Sequence, residues 1–301
     1  MVDITLLGCG GMMPLPKRFL TSMLARLNGR FVLIDCGEGT QVTLKMLGWG
    51  FKNIDAIMFT HFHADHITGL PGLLLTIGNS GRTEPLKLIG PKGLETVVSG
   101  LTIVAREIPF SLEFIEMDGA QEFEISGFRI KSLPVEHRTI CYAYTLEVDR
   151  PGKFDLERAA GLNIPKQMWS RLQRGEQVEF EGETYTPDMV MGEDRKGIKI
   201  AYCTDSRPVK TLPGFVRGAD LFICEGIYGD NEKIDKAKEY KHMLFSEAAE
   251  IAKAADVKQM WLTHYSPSLT EPAEFLQNAA SIFPGTHLGY DRKSETIKFE
   301  E

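Results

Sequence analysis

Three histidines and one aspartate fall within six residues of this chain, between an apolar run typical of a strand and another typical of a helix. They are His61, His63, Asp65 and His66, in the segment THFHADH. Imidazole nitrogen and carboxylate oxygen are donors that suit zinc and neighbouring metals. In an extended loop His61 and His63 project to the same side, and Asp65 and His66 follow at the turn into the helix. We therefore predict a metal site with a second one beside it, and a fold that brings further donors from distant parts of the chain.

Donors that could complete two sites lie at the ends of other predicted elements. His137 lies in a loop between strand-like runs (PVEHRT), and Asp205 and His264 follow apolar runs in CTDSRP and LTHYSP. We predict that all three are metal ligands. His287, in THLGYD, has no partner pattern, and we expect it to be structural.

Strand-like apolar runs alternate with helical patterns along most of the chain, which favours an α/β architecture. Two strand endings occur twice: FVLIDCGEG and IKIAYCTDS end at Asp35 and Asp205, and IDAIMFTH and VKQMWLTH end at His61 and His264. This repetition predicts two similar half-domains, with polar residues gathered at one rim of the sheets. Chance similarity between short strands is the alternative.

The segment 149–197 interrupts this order with many glycines and prolines. We predict one domain over 1–301, with 149–197 as a protruding inserted arm; a surface loop is the alternative. Between residues 153 and 174 the arm carries five basic residues and two acidic ones. The basic residues are Lys153, Arg158, Lys166, Arg171 and Arg174.

Composition sets outer limits on function. The formal net charge of −7 argues against a generally basic nucleic-acid binder, although it says little about one local patch. The five cysteines are scattered and form no C-x-x-C pair, which fits a reducing cytoplasm. No apolar run is long enough to span a membrane, and the N-terminus does not read as a secretion signal. We expect a cytoplasmic protein.

The motifs resemble those of the metallo-β-lactamase superfamily, and within it the ribonuclease Z family, whose members trim the 3′ ends of tRNA precursors. THFHADHITGLPGLL is similar to that family's signature, and the GLPGLL helix start is the discriminating part. FVLIDCGEGTQ, CTDSRP, HMLFSEAAEIAK and LTHYS are similar to its other motifs and occur in the expected order. The resemblance covers most of the chain. It implies an α/β fold, a four-layered αββα sandwich of two similar halves with a protruding insertion.

The resemblance also implies roles for single residues. It assigns one zinc ion to His61, His63, His137 and Asp205, and the other to Asp65, His66, Asp205 and His264, so that Asp205 bridges. Mn²⁺ or Fe²⁺ could replace Zn²⁺ at these donors. His242 corresponds to a proton-delivering histidine that is steered by a carboxylate, here Glu225, while Asp65 would accept a proton from the attacking hydroxide. The arm begins with RPGKFDLERA, like the tRNA-gripping arm of the family, but continues with KQMWSRLQRGE where a glycine-proline-rich tip is expected.

We therefore predict a two-metal hydrolase that removes the 3′ trailer from tRNA precursors, acting as a homodimer. One alternative is a small-molecule hydrolase on the same scaffold, for a cyclic nucleotide, a lactone or a thioester. A second alternative belongs to another class: a metal-bearing nucleic-acid binder without catalysis, or a di-iron redox protein. The complete ligand set with His242 argues against a dead enzyme, and no flavin-binding domain is visible.

Overall fold

The computed structural model describes residues 1–105 and 107–300. The chain divides into two compact units. The first comprises Met1–Glu147 and Lys199–Lys298, and the second comprises Val148–Ile198 with the C-terminal residues from Phe299. None of the helices in the described ranges is long and apolar enough to cross a bilayer.

Strands and helices alternate through the chain. The strands are β1 (Val2–Gly8), β2 (Ser22–Leu27), β3 (Arg30–Ile34), β4 (Ile54–Met58), β5 (Leu86–Pro91), β6 (Leu112–Met117), β7 (Glu122–Ile125), β8 (Phe128–Val135), β9 (Cys141–Arg150), β10 (Val178–Phe180), β11 (Glu183–Tyr185), β12 (Arg195–Cys203), β13 (Leu221–Glu225), β14 (Met260–Thr263), β15 (Thr286–Leu288) and β16 (Ser294–Ile297). The α-helices are α1 (Thr40–Leu47), α2 (Ala64–Ile67), α3 (Leu70–Asn79), α4 (Leu94–Leu101), α5 (Leu156–Gly161), α6 (Lys166–Gln173), α7 (Leu212–Val216), α8 (Ile234–Tyr240), α9 (Phe245–Ala254) and α10 (Leu276–Ala280). Short 3₁₀ turns cover Thr102–Val104, Pro187–Met189, Asn231–Lys233 and Pro272–Phe275.

The first unit contains two seven-stranded sheets. The first sheet has the order β16-β1-β2-β3-β4-β5-β6, antiparallel from β16 to β3 and parallel from β3 to β6. The second has the order β15-β14-β13-β12-β9-β8-β7, antiparallel from β7 to β9 and parallel from β12 to β15. Parallel neighbours place their carboxyl ends at the same edge of a sheet, which is where open α/β sheets bind ligands.

Helices cover one face of each sheet. Helices α1, α3 and α4 pack on the first sheet through a cluster that includes Leu33, Ile57 and Leu73. Val32 and Ile34 lie on the opposite face of β3 and are also fully buried, as expected when a second sheet covers that face. Across the interface the Tyr144 hydroxyl of β9 donates to the Phe59 carbonyl, 2.6 Å away. The predicted four-layered αββα sandwich is therefore confirmed.

The two halves have the same plan, but only part of the predicted repetition falls at equivalent positions. Strands β3 and β12 are each the fourth strand from one end of their sheet and begin the parallel portion, so Asp35 and Asp205 occupy corresponding strand ends. The two Thr-His endings do not correspond. His61 follows β4, whose counterpart is β13, whereas His264 follows β14. Threonine and histidine follow an apolar strand in both places, but the two strands occupy different positions in their sheets.

The helix expected at the metal motif is interrupted. The apolar pattern that follows THFHADH predicts one continuous helix over 66–77, whereas the structure has α2 and α3, separated near Gly69. The Gly69 amide donates to the Cys36 carbonyl (2.9 Å), and a Cβ on Gly69 would lie 2.3 Å from the Gly37 carbonyl oxygen. Only glycine permits this close approach. The interruption fixes the THFHADH loop against the end of β3.

The second unit contains helices α5 and α6 and the two-stranded hairpin β10-β11. It has its own small hydrophobic cluster, formed by Ala159, Ile164, Leu172, Val178 and Val190. Its two ends meet, because the Gly192 amide donates to the Lys153 carbonyl at 2.8 Å. The unit contains the segment 149–197, for which the sequence predicts an inserted arm.

Candidate active site

The loops at the carboxyl ends of parallel strands, together with the loop between the antiparallel strands β8 and β9, bring together all seven residues predicted as metal ligands. Strand β4 leads into the loop with His61 and His63, strand β12 into Asp205, and strand β14 into His264. His137 comes from the loop between β8 and β9. By contrast, His287 is exposed on β15, outside this cluster.

Asp205 presents one carboxylate oxygen to each of two groups of imidazoles. Its Oδ2 lies 3.6 Å from His61 Nε2 and 3.6 Å from His137 Nε2. Its Oδ1 lies 3.2 Å from both His66 Nε2 and His264 Nε2. A carboxylate in this position can bridge two cations.

The possible donors form three compact sets, of which the first two contain the residues predicted as ligands and the third joins Asp205 and His264 to His242. In the first, donor atoms of His61, His63, His137 and Asp205 all lie within 4.8 Å of one another. The same limit holds for the second set, Asp65, His66 and His264. Within the second set, His264 Nε2 lies 3.3 Å from Asp65 Oδ2 and 3.2 Å from His66 Nε2.

Charge states in the cluster suit cation binding. Burial lowers the pKa of His61, His63 and His137, so these imidazoles are neutral and keep a lone pair for a metal. Burial alone would raise the pKa of Asp205, but the surrounding histidines hold it well below its usual range. His66 differs: burial lowers its pKa, yet Asp205, Asp35 and Asp65 together raise it well above the ordinary value, so a metal at Nε2 has to displace a proton.

Buried polar atoms without partners show that the site fits a cation. His61 Nε2 and Asp205 Oδ1 have no hydrogen-bond partner among the described residues. Burying such atoms unpaired is costly, and two ring nitrogens 3.2 Å apart need a proton or a cation between them. Nitrogen and carboxylate donors of this kind match zinc, and also suit Mn²⁺ and Fe²⁺.

Asp35, which is not among the predicted ligands, supports the cluster by contacting the ring nitrogen of His66 that faces away from it. Its Oδ2 lies 2.9 Å from His66 Nδ1, and its Oδ1 accepts from the Thr60 amide at 2.8 Å. Partners of this kind fix which imidazole nitrogen faces a metal. The repeated strand ending at Asp35 and Asp205 was the sequence signal for this residue, but it did not distinguish a ligand from a supporting carboxylate.

Three strand-end residues of the site have left-handed backbone conformations: Asp35 (φ 60°), Asp205 (φ 37°) and His264 (φ 58°). Such conformations cost about 1–3 kcal/mol in non-glycine residues and concentrate at functional sites. A close backbone approach also restrains His264, since a Cβ on Gly11 would lie 2.8 Å from its Cε1.

His242, which is partly buried, and Glu225, which is fully buried, form a pair beside this cluster. His242 Nδ1 lies 3.1 Å from Glu225 Oε2 and 3.9 Å from Asp205 Oδ2. Burial lowers the pKa of His242, but the charge and hydrogen bond of Glu225 outweigh it and raise the pKa to about 9. Arg207, a residue that sequence reasoning missed, donates to the His242 carbonyl and forms a salt bridge with Glu247. This pair ties the backbone at His242 to the start of α9.

A pocket of about 440 Å³ opens beside these residues. One part of its wall is His63, His137 and His242. Another part consists of aromatic and basic side chains: Arg138, Tyr228, Lys236 and Tyr240. The volume falls within the ~300–1,000 Å³ typical of small-molecule sites.

The five basic residues predicted to bind RNA lie in the second unit. Arg158 pairs with Asp155, while Arg171 and Arg174 both pair with Glu176. The arginine side chains are 63%, 48% and 61% exposed, and exposed ion pairs contribute little free energy. The local pairing therefore leaves these arginines available to a phosphate. Lys166 Nζ lies 5.9 Å from the ring centroid of Trp169.

Comparisons with known proteins agree with the fold and with the family resemblance. A protein named Ribonuclease Z from Clostridium acetobutylicum is 55% identical over 307 residues, covering 100% of this chain and 99% of the relative. Human tRNase Z, short form, superposes with a TM-score of 0.70 at 25% identity, over 99% of this chain and 100% of the other. The metallo-beta-lactamase fold protein YhfI from Bacillus subtilis gives a TM-score of 0.71 at 20% identity, covering 98% and 100% of the two chains.

A family model described as "Anti-Pycsar protein Apyc1" matches residues 2–152. The full-length relatives extend the similarity over the whole chain. Their names confirm the resemblance drawn from the motifs. With its two-sheet fold and full-length identity, this chain belongs to the ribonuclease Z family of metallo-β-lactamase-fold proteins.

Proposed function

We propose that this chain is a two-metal endoribonuclease that removes the 3′ trailer from tRNA precursors. The observation that carries the proposal is the geometry of Asp205, with each carboxylate oxygen facing a different imidazole group and His242 beside both. The full-length similarity to proteins named Ribonuclease Z supports the choice of RNA as substrate.

The ligand assignment follows the first two donor sets. His61, His63, His137 and Asp205 would hold one ion, and Asp65, His66, His264 and the second oxygen of Asp205 would hold the other. We propose zinc as the resident metal, although the same donors accept Mn²⁺ and Fe²⁺. When bound, two such ions supply a hydroxide nucleophile at neutral pH and offset the charge that develops on a phosphate.

The protein's own residues then manage the protons. The Met12 amide donates to Asp65 Oδ2 at 2.7 Å, which fixes this carboxylate at the rim of the cluster to accept a proton from the attacking nucleophile. His242 is protonated at neutral pH, because the charge of Glu225 outweighs its burial. It would donate this proton to the departing ribose 3′-oxygen. The products are a 3′-hydroxyl on the tRNA and a 5′-phosphate on the trailer.

Glu225 acts on the reaction through His242. One oxygen faces His242 Nδ1, and the other accepts from the Ser206 amide, next to Asp205. The proton for the leaving group is thereby placed on Nε2, the nitrogen that does not face Glu225. A positioned general acid contributes about 10²–10⁴ to the rate.

We also propose that the segment 149–197 is an arm that contacts the tRNA backbone away from the cut, through Lys153, Arg158, Lys166, Arg171 and Arg174. Basic contacts to phosphates would provide affinity for RNA without sequence preference. A chain with a net charge of −7 otherwise lacks this affinity. We further propose a homodimer, to be tested by light scattering. Five buried, free cysteines support activity in the reducing cytoplasm.

A second function, hydrolysis of small phosphodiesters, is favoured by the 440 Å³ pocket, which suits a nucleotide-sized molecule. One experiment separates the two functions. The zinc-loaded protein is incubated with a precursor tRNA and, in parallel, with bis-p-nitrophenyl phosphate, and each RNA end is mapped to the nucleotide. A single cut that releases the trailer supports the proposal. An intact precursor together with rapid turnover of the small ester would replace it with the second function.

A further inference from the structure

The pocket beside His242 has a wall that the chemistry described so far does not use. Tyr240 ends α8 and keeps 39% of its surface exposed. The guanidinium of Arg138 lies over its ring, 4.6 Å from the centroid, and donates to the Glu239 carbonyl at 3.2 Å. A planar cation and an aromatic ring are therefore already stacked at the mouth of the pocket.

The remaining groups on this wall are a second aromatic ring and a free cation. Tyr228 is half-buried, and Lys236 is exposed on α8. Over the ranges that the structure describes, no carboxylate lies within ion-pair distance of Arg138 or Lys236. Unpaired cations beside aromatic rings, in a chain whose net charge is −7, mark a local surface for an anionic and aromatic ligand.

We propose that this pocket is a nucleobase subsite, in which the Arg138–Tyr240 stack carries the base of the nucleotide whose 3′-oxygen leaves. The inference rests on the proposed function, because it needs an RNA phosphodiester at the metal cluster. His242 lies in the pocket wall and would donate to that 3′-oxygen, so the same ribose must lie against His242. From there its base extends over the remaining wall, and Lys236 meets a backbone phosphate.

A stacking subsite accepts any base, since every base presents a π-face. The inference therefore predicts dependence on the presence of a base at this nucleotide, with little preference among the four bases. Loss of one base–aromatic stack lowers kcat/KM by roughly 5- to 150-fold.

The test combines enzyme variants with an altered substrate. Wild type, Tyr240→Ala and Tyr240→Phe are assayed on precursor tRNA that carries either a normal or an abasic residue at the nucleotide 5′ to the cut. Tyr290→Ala is the matched control, because Tyr290 is 61% exposed and does not line the pocket. Thermal melting and metal content check that each variant is folded.

On the normal substrate we expect Tyr240→Ala to lose roughly 5- to 150-fold in kcat/KM, and Tyr240→Phe and Tyr290→Ala to stay close to wild type. Wild type should lose a similar factor on the abasic substrate. Tyr240→Ala should lose no more than about twofold further there, since both changes remove the same contact.

Two results would overturn the subsite: equal cleavage of normal and abasic precursor by wild type, or the same Tyr240→Ala defect on both substrates. The wild-type comparison decides the matter even if Tyr240→Ala fails to fold. A wild type that hydrolyses bis-p-nitrophenyl phosphate but leaves both precursors uncut would instead remove the proposed function, and the subsite with it.

Discussion

Replacing Glu225 with glutamine tests the proton-delivery step without changing the shape of the site. Glutamine keeps an oxygen that can accept from the Ser206 amide, but it removes the negative charge beside His242. That charge and its hydrogen bond are the largest causes raising the pKa of His242, which burial would otherwise lower. We therefore expect the pKa of His242 to fall in Glu225→Gln.

The size of the effect follows from the two pKa values. With a pKa of about 9, His242 is roughly nine-tenths protonated at pH 8; at its ordinary 6.5 it is about 3% protonated. A general acid works only when protonated, so its contribution is complete below the pKa and is lost as pH rises through it. Glu225→Gln should then be slower than wild type by roughly 30-fold at pH 8, and by less than about twofold at pH 6.

The assay is the single-turnover rate of trailer removal between about pH 5.5 and 10, roughly one unit beyond each pKa. Bound cations would lower the pKa of His242 in both proteins, so the test is the difference between their alkaline limbs. His242→Ala should retain metal, lose about 10²–10⁴ in rate near pH 7 and have no such limb. Glu232→Gln, at an exposed site, is the matched control. Superimposable pH profiles for wild type and Glu225→Gln would refute the reasoning.

Three further changes test other parts of the site. His63→Ala should lose metal as well as activity, unlike the change at His242, and full metal occupancy by mass spectrometry would contradict its role as a ligand. Asp35→Asn weakens the support of His66 Nδ1 and should lower metal affinity by about 10- to 100-fold in a chelator competition, whereas the exposed Asp118→Asn should not. Excision of 153–191 joins Gly152 to Gly192, whose backbones are already in contact. This change should raise the KM for precursor tRNA and leave the hydrolysis of bis-p-nitrophenyl phosphate unchanged. If both activities fall together, the arm has a structural role.

Much of the fold could be predicted from local patterns. The apolar patterns at 112–117 and 221–225 predict strands with the observed bounds of β6 and β13. Strand β13 is buried along its whole length and therefore leaves a continuous hydrophobic signal. Strand β6, at the edge of its sheet, instead carries two exposed glutamates among its apolar residues. The interruption between α2 and α3 could not be predicted in this way. It depends on a contact between Gly69 and the backbone at Gly37, which are far apart in sequence.

The residues of the site could be predicted where their chemical type and their position at a strand end were informative. Histidines in one short loop are informative by density alone, whereas Glu225 and His242 were identified only by family resemblance. Neither the role of Asp35 behind His66 nor the link from Arg207 to Glu247 has a local signature, since both depend on distances between remote strands. The stacked pair of Arg138 and Tyr240 likewise exists only once the chain is folded.

An anomalous difference map at the zinc edge, from crystals of the zinc-loaded protein, tests the central claim most directly. We predict two peaks per chain: one among His61, His63 and His137, and the other among Asp65, His66 and His264, with one oxygen of Asp205 contacting each. A single peak, or peaks that Asp205 does not join, would contradict the two-metal centre.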